Sequence, residues 1–191
     1  MNILAAVLVL TFARSTVNFY ETTHKLIGVA FIVQQVLVAA VFLIRRPALA
    51  TSRHPLDIGV AMGGSFGGLL LRAGGSSVAS ALGVWVQVVG LALWILSYLA
   101  LGRSFGLIAA DRGLVIRGPY RVVRHPMYLS YIVTQSGYLL QSLSVWNLTA
   151  AAFAWSCQVA RCVREERLLG ESRPYEHYRS KVRWRLVPGL W

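Results

Sequence analysis

The run VASALGVWVQVVGLALWILSYLAL, residues 78–101, carries no charged side chain and is the longest apolar stretch of the chain. About 20 consecutive apolar residues suffice to take a helix across the roughly 30 Å hydrocarbon core of a bilayer. The run therefore predicts a membrane helix. Upstream lie LDIGVAMGGSFGGLLL (56–71), LIGVAFIVQQVLVAAVFLI (26–44) and the shorter ILAAVLVLTFA (3–13). The 26–44 run is long enough to span and is stopped by Arg45, Arg46 and Pro47. The 3–13 run has no basic segment before it and no cleavage site after it, so a retained first helix is expected rather than a signal peptide. Within 56–71, Gly59, Gly63 and Gly67 recur every fourth residue with Gly64 and Gly68 beside them. That spacing lays a smooth stripe on one helix face and lets another backbone approach closely, either within the chain or in a dimer. The alternative is a glycine-rich loop. Asp57 is expected at the entrance of this helix. Downstream, the apolar runs 127–140 and 145–163 are separated only by the 142–147 region and predict a helical hairpin.

Composition agrees with a membrane protein. Of the 191 residues 56% are hydrophobic and only 14% charged, against roughly 25% charged in ordinary globular chains. The mean hydropathy is +0.57. The expected fold class is an all-α integral membrane protein of five to six membrane helices, including the C-terminal hairpin. Residues 1–191 read as a single membrane domain, with N-terminal membrane helices in 1–101 and a functional core in 102–191.

The net charge of +12 invites a nucleic-acid partner, but the distribution of the charge argues against one. With the N-terminus in the cytosol and six helical segments threaded alternately, the 45–55 loop, the 102–126 loop and the tail from Arg161 all fall inside. Sixteen of the nineteen Lys and Arg residues are then cytosolic, and only Arg14, Lys25 and Arg72 remain outside. This is the positive-inside pattern of a multi-pass protein, with some help from anionic lipid. The expected partner is the bilayer. Cys157 and Cys162, five residues apart, do not share a helix face and show no metal-ligand spacing. Asn147-Leu148-Thr149 fits a glycosylation sequon that is too short to carry weight.

Chemistry is expected at the inner face, where the hairpin brings two distant segments together. In the first, Gly118-Pro119 marks a turn and Pro126 suits the first turn of a helix, placing Arg124, His125 and Tyr128 at one helix start. These residues read either as an interfacial anchor or as a site. Arg53-His54-Pro55 repeats the tripeptide of residues 124–126 without the following tyrosine, so the tripeptide alone says little. In the second segment Glu165 and Glu166 are adjacent, in a chain with only seven acidic residues. Carboxylates at a helix C-terminus oppose the helix dipole, and ionisable groups at a membrane edge are functional candidates. The alternative is a solvated ion-pair face with Arg161 and Arg164. The ending PYEHYRSKVRWRLVPGLW reads as an interfacial amphipathic helix or as a cap over a pocket.

The elements LGRSF (101–105), GPYRVVRHPMY (118–128), Glu165-Glu166 and the ending 174–191 together resemble the isoprenylcysteine carboxyl methyltransferase family, in its short prokaryote-like form. The resemblance covers about half of the chain, from roughly residue 98 onward. It implies S-adenosylmethionine-dependent methyl transfer to a lipid-linked or membrane-embedded acceptor, a carboxylate in the first instance. It also implies a cytosolic cofactor pocket formed by the 102–126 loop and the C-terminal tail, with no metal. The cofactor offers an ammonium, a carboxylate, a ribose, an adenine and a sulfonium. Glu165 and Glu166 suit the ammonium or ribose hydroxyls; His125, Pro126 and Tyr128 suit cofactor contact. Tyr120, Tyr175 and Tyr178 suit the adenine walls, and Arg124, Arg164 or a tail arginine suits an anionic acceptor. A carboxylate acceptor is already nucleophilic and needs no general base. The rivals are a phospholipid N-methyltransferase, a NADPH-dependent membrane reductase and a non-enzymatic membrane protein. The adjacent glutamates would repel the 2′-phosphate of NADPH, and polar residues such as Gln34, Gln35 and Gln87 are too few and scattered for a transport path. The acceptor and the oligomeric state are not legible.

Overall fold

A computed structural model describes residues 36, 40, 44, 50–51, 54–72, 76, 80–106, 110–111, 113–170 and 172–191. The expected helix at 3–13, nearly all of that at 26–44, and the cations Arg14, Lys25, Arg45, Arg46, Arg53 and Arg112 lie outside the described residues. The chain divides into two compact units. One comprises Met1–Pro47 with Leu101–Gly106; in it the Arg103 side chain donates from Nε to the Ile44 carbonyl at 3.0 Å. The other comprises Ala48–Ala100 with Leu107–Trp191 and contains the hairpin and the tail.

Its helices are α1 (Pro55–Phe66), α2 (Ser80–Leu101, whose last residue falls in the other unit), α3 (Pro126–Gln141), α4 (Val145–Leu169) and α5 (Arg173–Lys181). Short 3₁₀ turns cover Gly67–Leu70 and Gly118–Arg121. Among the described residues the named elements are helical except for one antiparallel pair, β1 (Ala50–Thr51) with β2 (Ala110–Asp111). Proline occupies the first turn of α1, α3 and α5, where its missing N–H leaves no bond unmade. Ser144 caps α4 by accepting from the Asn147 amide at 3.1 Å.

Among the described residues one helix is long and apolar enough to cross a membrane, the 25 residues Ser80–Ser104. This is the run from which the class was read. The 127–140 run becomes α3 with one residue added at each end, and 56–71 becomes α1 followed by the 3₁₀ turn. The hairpin's second helix differs from expectation. It does not end near Glu165 but continues to Leu169, because Arg164–Arg167 are good helix formers that extend the backbone ladder beyond the apolar stretch.

Glycine sets how closely the helices approach. A Cβ built on Gly63 would stand 2.7 Å from Cys157 Sγ, and one on Gly67 2.8 Å from the Ala154 Cβ. The stripe on α1 therefore packs against α4 within the chain, with Gly59 outside the contact. Between α2 and α3, a Cβ on Gly83 would lie 2.6 Å from the Gly137 carbonyl.

The helix ends alternate as in an up-and-down bundle. At one end Ser76 and Leu143 exchange main-chain bonds of 2.8 and 2.7 Å, and Trp146 donates to the Leu70 carbonyl at 2.7 Å. Asn147 is fully buried there and bonded to Arg72 and Ser142, so the sequon cannot be modified in this fold. The other end gathers the start of α1, the end of α2, the start of α3 and the end of α4. There Arg117 donates to the Ala100 carbonyl at 2.8 Å, and Arg164 pairs with Asp57 of α1. Asp57 stands in the first turn of α1, as expected.

Candidate functional site at the end of the hairpin

Gly118 adopts φ +56°, which glycine tolerates without strain. It turns the chain so that Val123, Arg124 and His125 run alongside the tail. The Arg124 amide donates to the Trp184 carbonyl and the His125 amide to the Arg185 carbonyl, both at 2.8 Å. Pro126 then starts α3 and buries its ring.

Glu166 is the hub. Its carboxylate accepts from Arg124 Nε at 2.7 Å, from Arg185 Nε at 2.9 Å and lies 3.1 Å from His125 Nε2. Arg124 and Glu166 are both buried, and a second Arg124 nitrogen donates to the Val182 carbonyl at 3.1 Å. Burial by itself pushes the Glu166 carboxyl up. The hydrogen bonds from His125 and Arg185, with the charges of His125 and Arg124, outweigh it and hold the group at about 2. Glu166 is an anion at every physiological pH.

Glu165 is used differently. It is partly exposed, 24% for the side chain. It accepts from the Tyr128 hydroxyl in a short bond of 2.5 Å and stands 3.8 Å from His125 Nδ1. The two nitrogens of one imidazole thus face the two glutamates. The His125 ring lies parallel to Tyr128, with centroids 5.4 Å apart, which fixes its plane.

The aromatic wall comes from the first segment and α5. Tyr178 donates its hydroxyl to the Tyr120 carbonyl at 2.7 Å, and Tyr175 meets Tyr178 edge to face at 5.8 Å. All three tyrosines are buried. Burial first, then the charges of Glu166 and Glu165, push the Tyr175 phenol up. Its hydroxyl is buried without a hydrogen-bond partner among the described residues, so a buried donor stands within the field of the carboxylate pair.

All ten residues singled out from the sequence fall at this end of the fold. Arg124, His125, Tyr128, Glu165 and Glu166 are joined by the contacts above, Tyr120, Tyr175 and Tyr178 form a second group joined to one another, and Pro126 sets the helix start. Arg164 lies aside: it pairs with Asp57 and approaches His54 Nδ1 at 3.2 Å. With Asp57, Val60, Ala61, Tyr128 and Arg161 it lines a small recess between α1 and the hairpin. The ion-pair face expected from Arg161 and Arg164 gives way to partners from elsewhere, since the cations on Glu166 are Arg124 and Arg185. Arg161 instead donates to Ser65 Oγ at 3.0 Å and sits 4.5 Å above the Tyr128 ring. His54 occupies in α1 the place that His125 occupies in α3, but it accepts from the Leu56 amide as an exposed cap. The repeated tripeptide therefore codes a helix start, and the 124–126 copy differs in meeting the two glutamates. The sequence offered a tail arginine without saying which and gave no signal for Trp191, because nothing in an alternation of basic and aromatic residues marks which one turns inward.

Among the described residues, one helix of membrane-spanning length and a cluster of ionisable groups at one end of the bundle define the fold and the candidate site. The phospholipid methyltransferase family model matches residues 78–173, half of the chain, and the chain belongs to that family. The match takes in Arg124, His125, Tyr128 and both glutamates; Tyr175, Tyr178 and the rest of the tail fall outside it. Methyltransferases of this family generally use S-adenosylmethionine. A search of curated proteins finds no match.

Proposed function

We propose that this protein transfers a methyl group from S-adenosylmethionine to a lipid-borne acceptor at the cytosolic face of a multi-pass membrane domain. The observation that carries the reading is the buried Tyr175 hydroxyl, without a partner among the described residues and within the field of Glu165 and Glu166. A buried donor without a partner is costly, and a ligand bearing a ribose hydroxyl supplies the acceptor it lacks. The donor set fits the cofactor. Glu165, partly exposed, binds the ammonium or a ribose hydroxyl; Tyr120, Tyr175 and Tyr178 wall the adenine; His125 and Tyr128 fix Glu165. Glu166, saturated by three donors, holds the frame. Arg124 serves it as a buttress, and Arg164, at the recess, is the cation that orients an anionic acceptor.

When bound, the cofactor supplies an electrophilic methyl group. The chain's contribution is to position the acceptor in line with it and exclude water. Glu166 is committed to three donors and Glu165 to Tyr128, which favours an acceptor that needs no base. A carboxylate, as in the isoprenylcysteine carboxyl methyltransferases, is such an acceptor. The family match favours a second reading, methylation of a phospholipid amine.

The test is calorimetric titration of S-adenosylmethionine into detergent-purified protein, wild type against Glu165→Ala and His125→Ala. Strong weakening in both variants is expected; NADPH binding in place of S-adenosylmethionine would overturn the reading. Methyl-labelled cofactor with membrane lipid then separates the acceptors. A methyl ester releases methanol in mild alkali, whereas an N-methyl product keeps its label.

A further inference from the structure

We infer that Trp191 is a positioning residue for the carboxylate pair, acting through Arg185; the inference rests on the methyltransferase reading above. The tail beyond α5 doubles back on itself. The amides of Arg185 and Leu186 both donate to the Trp191 main-chain oxygen, at 2.8 and 3.1 Å. The Arg185 guanidinium lies 4.9 Å from the centre of the Trp191 ring while its Nε donates to Glu166. The same indole packs, with Leu129 and Ile132, against the cluster of Tyr128, Cys162 and Leu186. One residue thus touches both arms of the site: Arg185, which holds Glu166, and the cluster containing Tyr128, which holds Glu165.

The physical case is one of conformational freedom. Arg185 is about a third exposed, and a free arginine side chain visits many rotamers. A ring stacked on the guanidinium and a hydrogen-bonded turn beneath its backbone restrict it to the rotamer that reaches Glu166. Without Trp191 the third donor on Glu166 becomes intermittent, and the geometry of the neighbouring Glu165 loosens with it. Trp191 itself contacts neither carboxylate, so its effect falls on cofactor affinity and not on the acceptor.

Trp191→Ala, Trp191→Phe, Arg185→Gln and the double variant Trp191→Ala/Arg185→Gln, in the full chain, test this, with exposed Leu190→Ala as control. Trp191→Ala is expected to weaken S-adenosylmethionine binding roughly three- to tenfold, leave the acceptor KM unchanged and speed amide exchange at Arg185 and Leu186. Trp191→Phe restores most of the affinity, and the double variant loses no more than Arg185→Gln alone. Additive losses, or wild-type affinity in Trp191→Ala with faster exchange, would overturn the coupling. Unchanged exchange would overturn the latch with no cofactor involved. A wild type that binds no cofactor instead overturns the methyltransferase reading, while the exchange experiment still judges the latch.

Discussion

Adjacent on the chain, Glu165 and Glu166 point about 100° apart on α4 and meet different neighbours. Glu166 faces two arginines and an imidazole in a buried pocket, whereas Glu165 faces a phenol and partial solvent. Their substitutions should therefore separate. Glu166→Gln leaves Arg124 buried against a neutral partner, a break that costs about 3–5 kcal/mol, and is expected to lower the unfolding midpoint in detergent sharply. Glu165→Gln is expected to leave that midpoint nearly unchanged and to weaken cofactor binding about tenfold or more, the worth of a charge-assisted bond. Equal losses of stability in both variants would contradict the division. The pH dependence belongs to the same residue. Glu166 titrates at about 2 in the fold against an ordinary 4.5, so its contribution is fully present above the unfolded value and disappears as pH falls through the folded one. Wild-type stability should drop between about pH 4.5 and 2, and Glu166→Gln should be flatter across that window.

For the elements, the contact of α1 on α4 depends on residues without a side chain. Gly67→Leu drives a side chain into Ala154 and should cost about 1–3 kcal/mol by overpacking, seen as a lower midpoint. Gly59 meets nothing within 4 Å, so Gly59→Ala should be neutral or raise the midpoint, since alanine favours the helix by roughly 0.5–1 kcal/mol. An α1 that tolerates Gly67→Leu would not pack as described. The stripe was visible in the sequence; the partner that it packs against was not, because close approach demands a small residue without naming its neighbour. A helix start was legible where proline marks it, at Pro126. The end of α4 was not, because hydropathy reports where hydrocarbon ends and the backbone ladder does not stop there.

For the whole molecule, the alternation of helix ends places the cations of the site end opposite Arg72. In sealed proteoliposomes of uniform orientation, a cysteine introduced at exposed Lys181 and another at exposed Val145 should label from opposite sides with a membrane-impermeant maleimide, in a background lacking Cys157 and Cys162. Labelling of both from one side would defeat the multi-pass reading. By itself, the sequence determined the apolar helices, the hairpin and the two polar segments that flank it, since apolar length and charge placement act locally along the chain. Only the tertiary structure decided that Glu166 is the buried hub and Glu165 the partly open carboxylate, that Arg124 and Arg185 are the cations on that hub, and that Trp191 turns back on Arg185. Those assignments depend on which groups share a low-dielectric pocket, and residues 19 to 42 positions apart share one only once the chain has folded.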